Sequence, residues 1–277
     1  MDQVVITCAV DGPIAVPSDN PNLPYTPEQF AEQAKAVYAE GASVIHIHSR
    51  GADGLPTSDY GRTKEILDAV HESCPILTQL STGGFFPYEE RARLVELKPR
   101  MASLNLCTMT FGKFEFRNPP LEVRKVAARM MELGVKGELE IYDTGHLEFA
   151  LRLLKEGLLV EPLQFSVVLG VDGGAAATPE NLITLVKRMP PNAIWQMIGI
   201  GRANLPLTTI ALAMGGNART GLEDTLQYTK GVPADNPMLI RRLVGVAKAI
   251  GRTPATVEQT EQMLQLPKVN QAVAAAV

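Results

Sequence analysis

Cysteine is scarce in this chain, with three residues in 277, and the three are widely spaced. No CxxC pair occurs, which excludes a disulfide scaffold and a cysteine-based zinc knuckle. So few cysteines are typical of a reducing compartment, and we expect a cytoplasmic protein.

Apolar runs stay well below the roughly 20 residues that span a bilayer, and the start lacks the basic segment of a secretory signal. We therefore expect no membrane partner.

Positive charge is not in excess either. The 26 Lys and Arg residues face 30 Asp and Glu residues, which gives a formal net charge of -4. Proteins that neutralise nucleic-acid phosphates usually carry a strongly basic face, so we expect no nucleic-acid partner. Hydrophobic residues make up 45% of the chain, which suffices for a sizeable core and excludes global disorder.

Short apolar runs alternate with amphipathic stretches along nearly the whole length. The predicted strands cover residues 4–10, 43–49, 76–82, 102–107, 137–142, 164–169, 194–200 and 218–221. The predicted helices cover residues 27–40, 61–72, 88–97, 121–133, 147–155, 179–187, 207–213 and 236–250. The strands are continuously apolar, as expected when both faces of a sheet are buried.

Eight strand–helix units in 277 residues predict an α/β fold of the (β/α)8 TIM-barrel type, formed by a single domain over residues 1–277. An extra C-terminal helical segment at 253–266 is expected to cover the barrel or a neighbouring subunit. A doubly wound open sheet is the alternative. The glycine-rich nucleotide fingerprint that such sheets often carry is missing after the first strand, and no P-loop occurs.

Two of the four histidines stand one residue apart at the end of the second predicted strand. His46 and His48 project from the same face of that strand, because side chains alternate along it. Active sites of such barrels lie at the carboxyl ends of the strands. The pair therefore predicts a metal site whose third ligand is a carboxylate from another strand. The alternative is that each imidazole binds a backbone carbonyl.

Further polar groups end the third and fifth strands. Ser81, Gly83 and Gly84 form a small-residue turn whose backbone N–H groups could approach an anion, although an ordinary turn would have the same sequence. Glu138 and Glu140 share one face of the fifth strand, and Glu140 lies nearer the rim, so it is the better candidate for a base. A structural ion pair inside the barrel is the alternative for these carboxylates.

The eighth strand is followed by one cation and two adjacent carboxylates: Arg219, Glu223 and Asp224. Taken alone, this stretch could be a solvated loop. Its position next to the first strand makes Glu223 the candidate for the third metal ligand.

These motifs together carry a resemblance that runs over essentially the whole chain. The matching segments are residues 20–24, 26–28, 41–42, 46–48, 81–84, 101–105, 138–142, 199–202 and 219–224. The chain resembles the β-keto acid cleavage enzymes. That resemblance implies a zinc-dependent (β/α)8 barrel that exchanges a β-keto acid with acetyl-CoA, giving acetoacetate and a new acyl-CoA. It also implies a homo-oligomer, either a dimer or a tetramer.

The resemblance also implies roles for individual residues. By position, the zinc ligands are His46, His48 and Glu223, and the polar catalytic residues are Glu140, Arg219 and Asp224. Substrate-binding positions are Ser81, Gly83, Gly84, Ser103, Asn105 and Ile14. The serine is expected to help hold the carboxylate of the keto acid.

Two positions depart from the family pattern. A family member that acts on an amino-substituted keto acid has a glutamate where this chain has Ile14, so we expect a substrate with a neutral or apolar side chain. Nearby Asp11 could still meet a cation. The family often has histidine where this chain has Asn217, which we interpret as a position that tunes the site.

Other functions stay open at this point. Two histidines and one carboxylate also form the facial triad of non-haem iron oxygenases. A metal-dependent aldolase, lyase or hydrolase would use the same barrel without CoA, and a non-catalytic binding protein derived from the barrel would need neither. The apolar residues Met263, Leu264 and Leu266 are consistent with the homo-oligomer.

Overall fold

The computed structural model describes residues 2–267. Eight parallel strands close into a barrel in which each strand pairs with its neighbours in the chain and the last pairs with the first. The strands are β1 (Ile6–Ala9), β2 (Val44–Ile47), β3 (Leu77–Leu80), β4 (Met101–Asn105), β5 (Lys136–Ile141), β6 (Gln164–Leu169), β7 (Ile194–Gly199) and β8 (Asn217–Thr220). The predicted (β/α)8 barrel is confirmed.

Helices connect successive strands and cover the outside of the barrel. They are α1 (Pro27–Ala39), α2 (Tyr60–Ser73), α3 (Tyr88–Ala92), α4 (Pro120–Leu133), α5 (Thr144–Lys155), α6 (Pro179–Arg188), α7 (Asn204–Ala213), α8 (Asn236–Ala249) and α9 (Val257–Met263). Short 3₁₀ turns follow α3 at Arg93–Leu97 and precede α7 at Gly201–Ala203. The start of α1 illustrates the local code: Pro27 opens the helix, and the Thr26 side chain accepts a hydrogen bond from the Gln29 backbone N–H.

Three pairs of short strands lie outside the barrel. One is an antiparallel hairpin of Met109–Phe111 with Phe114–Phe116, inserted after β4. Another joins Gln227–Thr229 to Val232–Pro233. The third joins Gln3–Val4 to Thr253–Pro254.

The predicted C-terminal helix over 253–266 is shorter than expected. Thr253 and Pro254 are extended, because the backbone N–H groups of Thr253 and Ala255 donate to carbonyls of residues 2 and 4 at the start of the chain. The helix begins at Val257, where the side chain of Thr256 caps the Gln259 N–H.

The residues after this helix pack against their own barrel. Leu264 and Leu266 join Val5, Val44 and Met101 in an apolar cluster at the amino ends of the strands. Their apolarity is therefore accounted for within one chain, and it gives no separate argument for a subunit interface. The rest of the predicted domain, 268–277, lies outside the described residues. No helix within residues 2–267 combines the length and apolarity that crossing a membrane requires.

Candidate active site

One cavity opens at the carboxyl ends of the strands and brings together most of the predicted site residues. Its walls come from the loops after β1, β2, β3, β4, β5, β7 and β8. The lining residues are Asp11, Gly12, Pro13, Ile14, Ala15, His48, Ser81, Gly83, Gly84, Phe85, Phe111, Phe116, Glu140, Tyr142, Ile200 and Glu223.

His46, His48 and Glu223 converge at the floor of this cavity. The Nε2 atoms of His46 and His48 each lie 3.4 Å from a carboxylate oxygen of Glu223. Ligands held 2.0–2.1 Å from a tetrahedral zinc ion are about 3.3 Å apart, so these separations suit one ion. Within the part of the chain that the structure describes, His46 Nε2 and Glu223 Oε2 are buried and have no hydrogen-bond partner. Two unsatisfied buried ligand atoms that face each other fit a divalent metal ion.

The ring of His46 is fixed by a buried hydrogen-bond chain inside the barrel. His46 Nδ1 lies 2.6 Å from Gln79 Oε1, and Gln79 Nε2 donates to Glu138 Oε2 at 2.6 Å. Because a carboxylate only accepts, the Gln79 amide presents its oxygen to the imidazole, and Nδ1 must carry the proton. Burial lowers the pKa of His46 to about 3, so the ring is neutral. Its Nε2 lone pair is therefore free for a metal.

Glu138 itself takes no part in an ion pair among residues 2–267. Its carboxylate accepts hydrogen bonds from Gln79, from Ser166 Oγ at 2.6 Å and from Gln164 Nε2 at 2.9 Å. For Glu138, this arrangement differs from the ion pair considered as the alternative for the two strand carboxylates. Glu138 anchors Gln79, and through it the orientation of His46.

Arg219 connects the metal-ligand cluster to the other carboxylates. Its guanidinium binds Asp224 through two nitrogens, at 2.7 and 3.2 Å, and Nη2 also lies 3.0 Å from Glu223 Oε1. Burial opposes ionisation of Glu223, but the Arg219 guanidinium beside it outweighs burial and holds the pKa of Glu223 well below its usual range. Glu223 is therefore an anion ready to bind a cation.

Glu140 lines the same cavity and lies close to Arg219. Its carboxylate lies 4.0 Å from Arg219 Nη1, an atom for which residues 2–267 supply no hydrogen-bond partner, and accepts a hydrogen bond from the Tyr142 hydroxyl at 2.9 Å. Burial raises the pKa of Glu140 to about 7, although Arg219 opposes the shift. A carboxyl group that titrates near neutrality can take up and return a proton. Asp224 is more deeply buried than Glu140 and does not line the cavity, and both of its carboxylate oxygens accept hydrogen bonds from Arg219.

The small-residue turn after β3 lies beside the histidines. Ser81, Gly83 and Gly84 line the cavity, and the Gly83 N–H donates to Ser81 Oγ at 3.0 Å. Asn105 is buried nearby, and its side-chain amide is without a partner in the described chain. Ser103 lies behind the turn instead: its hydroxyl oxygen accepts from Thr82 N–H at 2.9 Å. Ser103 thus supports the turn and does not face the cavity.

Two further expectations change with the structure. Asp11 is fully buried and pairs with Arg50 at 3.1 Å, while its other oxygen accepts from the His48 N–H at 3.0 Å. It therefore positions the His48 backbone and is not free to meet a substrate cation.

Asn217 lies at the amino end of β8, where its side-chain oxygen accepts from the Val5 N–H. Its bond secures the opposite end of the barrel, so we withdraw the interpretation that it tunes the site.

Sequence reasoning missed Gly12, Gln79 and the phenylalanines of the cavity wall. Gly12 has φ +76°, and a Cβ there would lie 2.5 Å from Glu223 Cγ, so only glycine leaves room for the ligand. A polar Gln79 within an apolar strand was a signal that could have been found. Phe111 and Phe116 lie on a hairpin that no periodic pattern marked, and Phe85 lies in the loop after β3.

Comparison with known proteins agrees with this geometry. Residues 3–266 match the model of the beta-keto acid cleavage enzyme family. The chain is 39% identical over 273 residues to the 3-keto-5-aminohexanoate cleavage enzyme of Acetoanaerobium sticklandii, covering 97% of this chain and 100% of that one. It is 32% identical to the 3-oxoadipate:acetyl-CoA acetyltransferase of Cupriavidus necator, covering 96% and 95%.

Among solved structures, the apo form of ObcA superposes with a TM-score of 0.75 at 19% identity. The alignment covers 90% of this chain but 66% of ObcA, so the likeness supports the barrel fold alone. The family match over nearly the full length, together with the sequence identities, leads to one conclusion: the chain is an enzyme of the β-keto acid cleavage family.

Proposed function

We propose that this enzyme uses a zinc ion to exchange a β-keto acid with acetyl-CoA, giving acetoacetate and a new acyl-CoA. The observation that carries the proposal is the triad of His46, His48 and Glu223, in which His46 Nε2 and Glu223 Oε2 have no hydrogen-bond partner among residues 2–267, at the cavity that His48, Glu223 and Glu140 line. The acetyl-CoA dependence is supported by the name of the Cupriavidus relative.

The three ligands leave coordination positions open toward the cavity. When bound there, the ion supplies a Lewis acid that favours negative charge on the keto oxygen of the substrate. The Ser81–Gly84 turn and the Asn105 amide supply hydrogen-bond donors beside the ligands for the substrate carboxylate. Together these groups would fix the keto acid with its α carbon toward Glu140.

Glu140 would act as the base. It lines the cavity, and its pKa of about 7 lets it accept a proton from the carbon between the keto and carboxyl groups. The resulting carbanion would attack the acetyl carbonyl of acetyl-CoA, forming a carbon–carbon bond and releasing the CoA thiolate. Arg219 Nη1, which the described residues leave without a partner, would donate to the developing oxyanion.

The second half of the exchange consumes the CoA thiolate and returns the proton that Glu140 accepted. The CoA thiolate would attack the original keto carbon, and the bond between that carbon and the α carbon would break. The new acyl-CoA forms, and the α carbon leaves as part of acetoacetate after Glu140 returns its proton. Water is not consumed, which suits a base and a cation that are both buried.

Product analysis tests this function. The purified enzyme with zinc, a mixture of β-keto acids and acetyl-CoA should yield new acyl-CoA thioesters and acetoacetate by mass spectrometry. Cleavage that proceeds equally well without acetyl-CoA would instead indicate an aldolase, lyase or hydrolase. Bound iron with oxygen uptake would indicate an oxygenase, and protein that neither binds metal nor converts substrate would indicate a binding protein.

We infer in addition that the whole chain forms one domain and assembles as a dimer or a tetramer in the cytoplasm. The assembly is expected from the family resemblance, and the three free cysteines suit a reducing compartment. Light scattering after size-exclusion chromatography measures the subunit number directly, and a monomer at working concentration would contradict the assembly.

A further inference from the structure

Phenylalanine is uncommon in this chain, with 8 residues in 277, yet half of them gather at the mouth of the cavity. Phe85 follows the turn after β3, and the hairpin after β4 carries Phe111, Phe114 and Phe116. The ring centre of Phe85 lies 5.9 Å from that of Phe111 and 6.3 Å from that of Phe116. These spacings are typical of aromatic rings that pack edge to face.

The cavity therefore has two chemically different ends. His48, Glu140 and Glu223 form the reactive floor. An apolar wall rises from it toward solvent, made by Ile14, Phe85, Phe111, Phe116 and Ile200. A β-keto acid has the same division, since its carboxylate and keto group are polar and its remaining side chain varies. The polar end of the substrate belongs on the floor, which leaves the side chain against the apolar wall.

The absence of free charges along the wall further restricts which substrate side chains can bind. Among residues 2–267, no lysine or arginine lies along the apolar wall, and Arg219 is held by Asp224 and Glu223 at the floor, so a second carboxylate on the side chain would find no partner at the wall. Each of the three carboxylates that line the cavity has another role: Asp11 is bound to Arg50, Glu223 is the proposed metal ligand and Glu140 is the proposed base. A side-chain ammonium would likewise find no free anion, and burying either charge without a partner is costly.

We propose that the apolar wall of Ile14, Phe85, Phe111, Phe116 and Ile200 binds the side chain of the β-keto acid and selects uncharged substrates with branched alkyl or aryl side chains. This specificity rests on the proposed exchange reaction. It goes beyond the position of Ile14 alone, because aromatic side chains from two further loops form the greater part of the wall.

A panel of β-keto acids measures the selectivity. Linear, branched, phenyl-, amino- and carboxy-substituted acids are compared by kcat/KM at saturating acetyl-CoA. We expect kcat/KM to rise about fourfold for each added methylene that the wall buries, and the amino- and carboxy-substituted acids to fall at least a hundredfold below the best apolar one. A charged acid preferred over apolar acids of equal length would overturn the proposal while leaving the exchange reaction intact.

Two variants test the wall itself. Phe111→Ala should raise KM for the phenyl-substituted acid about tenfold or more with little change in KM for acetyl-CoA. Ile14→Glu, at a half-exposed position that tolerates a charge, should lower affinity for apolar acids and improve that for the amino-substituted acid. The matched control is Leu121→Ala. Leu121 is an exposed apolar residue of α4 that does not line the cavity, so its effect should stay below twofold.

The outcomes are distinguished by which KM changes, that for the keto acid or that for acetyl-CoA. If Phe111→Ala raises KM for acetyl-CoA alone, the wall binds the pantetheine arm and the proposal is wrong. Calorimetric binding of the phenyl-substituted acid without acetyl-CoA gives a readout independent of turnover. Binding that Phe111→Ala weakens would support the wall even if exchange fails, whereas binding unaffected by both Phe111→Ala and Ile14→Glu would overturn it.

Discussion

Glu140 is the residue whose environment most directly sets the chemistry. Its pKa of about 7 results from burial, and the base must be deprotonated to act. We therefore expect kcat to rise with pH and to level off above about 7. Glu140→Gln should lower kcat by roughly 100-fold or more and remove this step from the profile. Asp224→Asn is the informative comparison: if only that variant removes the step, Asp224 is the base.

The same burial has a consequence for stability. The pKa of Glu140 in the folded protein lies above the value of about 4.3 expected in the unfolded chain. Ionisation therefore costs the folded state free energy, and this cost grows as pH rises from about 4.3 to about 7. Glu140→Gln should raise Tm by a few degrees at pH 8 and change it little at pH 4. Calorimetric scans at the two pH values measure this, and an equal shift at both would contradict it.

The hydrogen-bond chain behind His46 predicts an effect on metal affinity without a change of ligand. In Glu138→Gln, an amide can donate to Gln79, which would allow Gln79 to turn and present its NH₂ group to His46. Nδ1 would then have to accept, and the proton would move to Nε2, the metal-binding atom. Zinc affinity should fall about 10- to 100-fold in a chelator competition.

A neighbour of Glu138 provides the control for that experiment. Gln164 donates to the same carboxylate but has no hydrogen bond to His46. Gln164→Met should therefore leave zinc affinity nearly unchanged. Equal losses in both variants would mean that general disturbance of the barrel interior, and not the imidazole proton, sets the affinity.

At the scale of elements, the loop after β1 must pass close to the loop after β8. Gly12 makes the approach possible, because its backbone has φ +76° and a Cβ would collide with Glu223. Gly12→Ala should displace Glu223 and lower zinc affinity at least tenfold, measured by chelator competition. Gly245→Ala, in the exposed middle of α8 with open space around it, should stabilise the protein by about 0.5–1 kcal/mol and leave zinc affinity unchanged.

The sequence predicted the barrel strands and the positions of their helices because continuous apolar runs and capping residues are local signals. The histidine pair was also predictable from a local signal, because residues i and i+2 of one strand point to the same face. The hairpin at 109–116 was missed, because each of its strands has three residues and no apolar period. Roles that depend on contacts across the barrel, such as those of Ser103 and Asn217, required the fold.

At the scale of the whole molecule, the two ends of the barrel have different tasks. The amino ends of the strands are closed by the apolar cluster around Leu264 and Leu266, which packs the C-terminal segment onto its own barrel. The carboxyl ends gather the proposed ligands, the proposed base and the apolar wall around one cavity. Substitutions at the first end should change stability, and those at the second should change metal affinity, rate or specificity.

In the proposed reaction, the enzyme transfers the acetyl group of acetyl-CoA to the α carbon of a β-keto acid. Acetyl-CoA labelled with ¹³C at its carbonyl carbon tests it most directly, followed by mass spectrometry and NMR of the products with Glu223→Gln as the inactive control. If the exchange proceeds as proposed, the label appears at the keto carbon of acetoacetate and none appears in the new acyl-CoA. Label recovered as free acetate, or keto acid cleaved while acetyl-CoA stays intact, would contradict it.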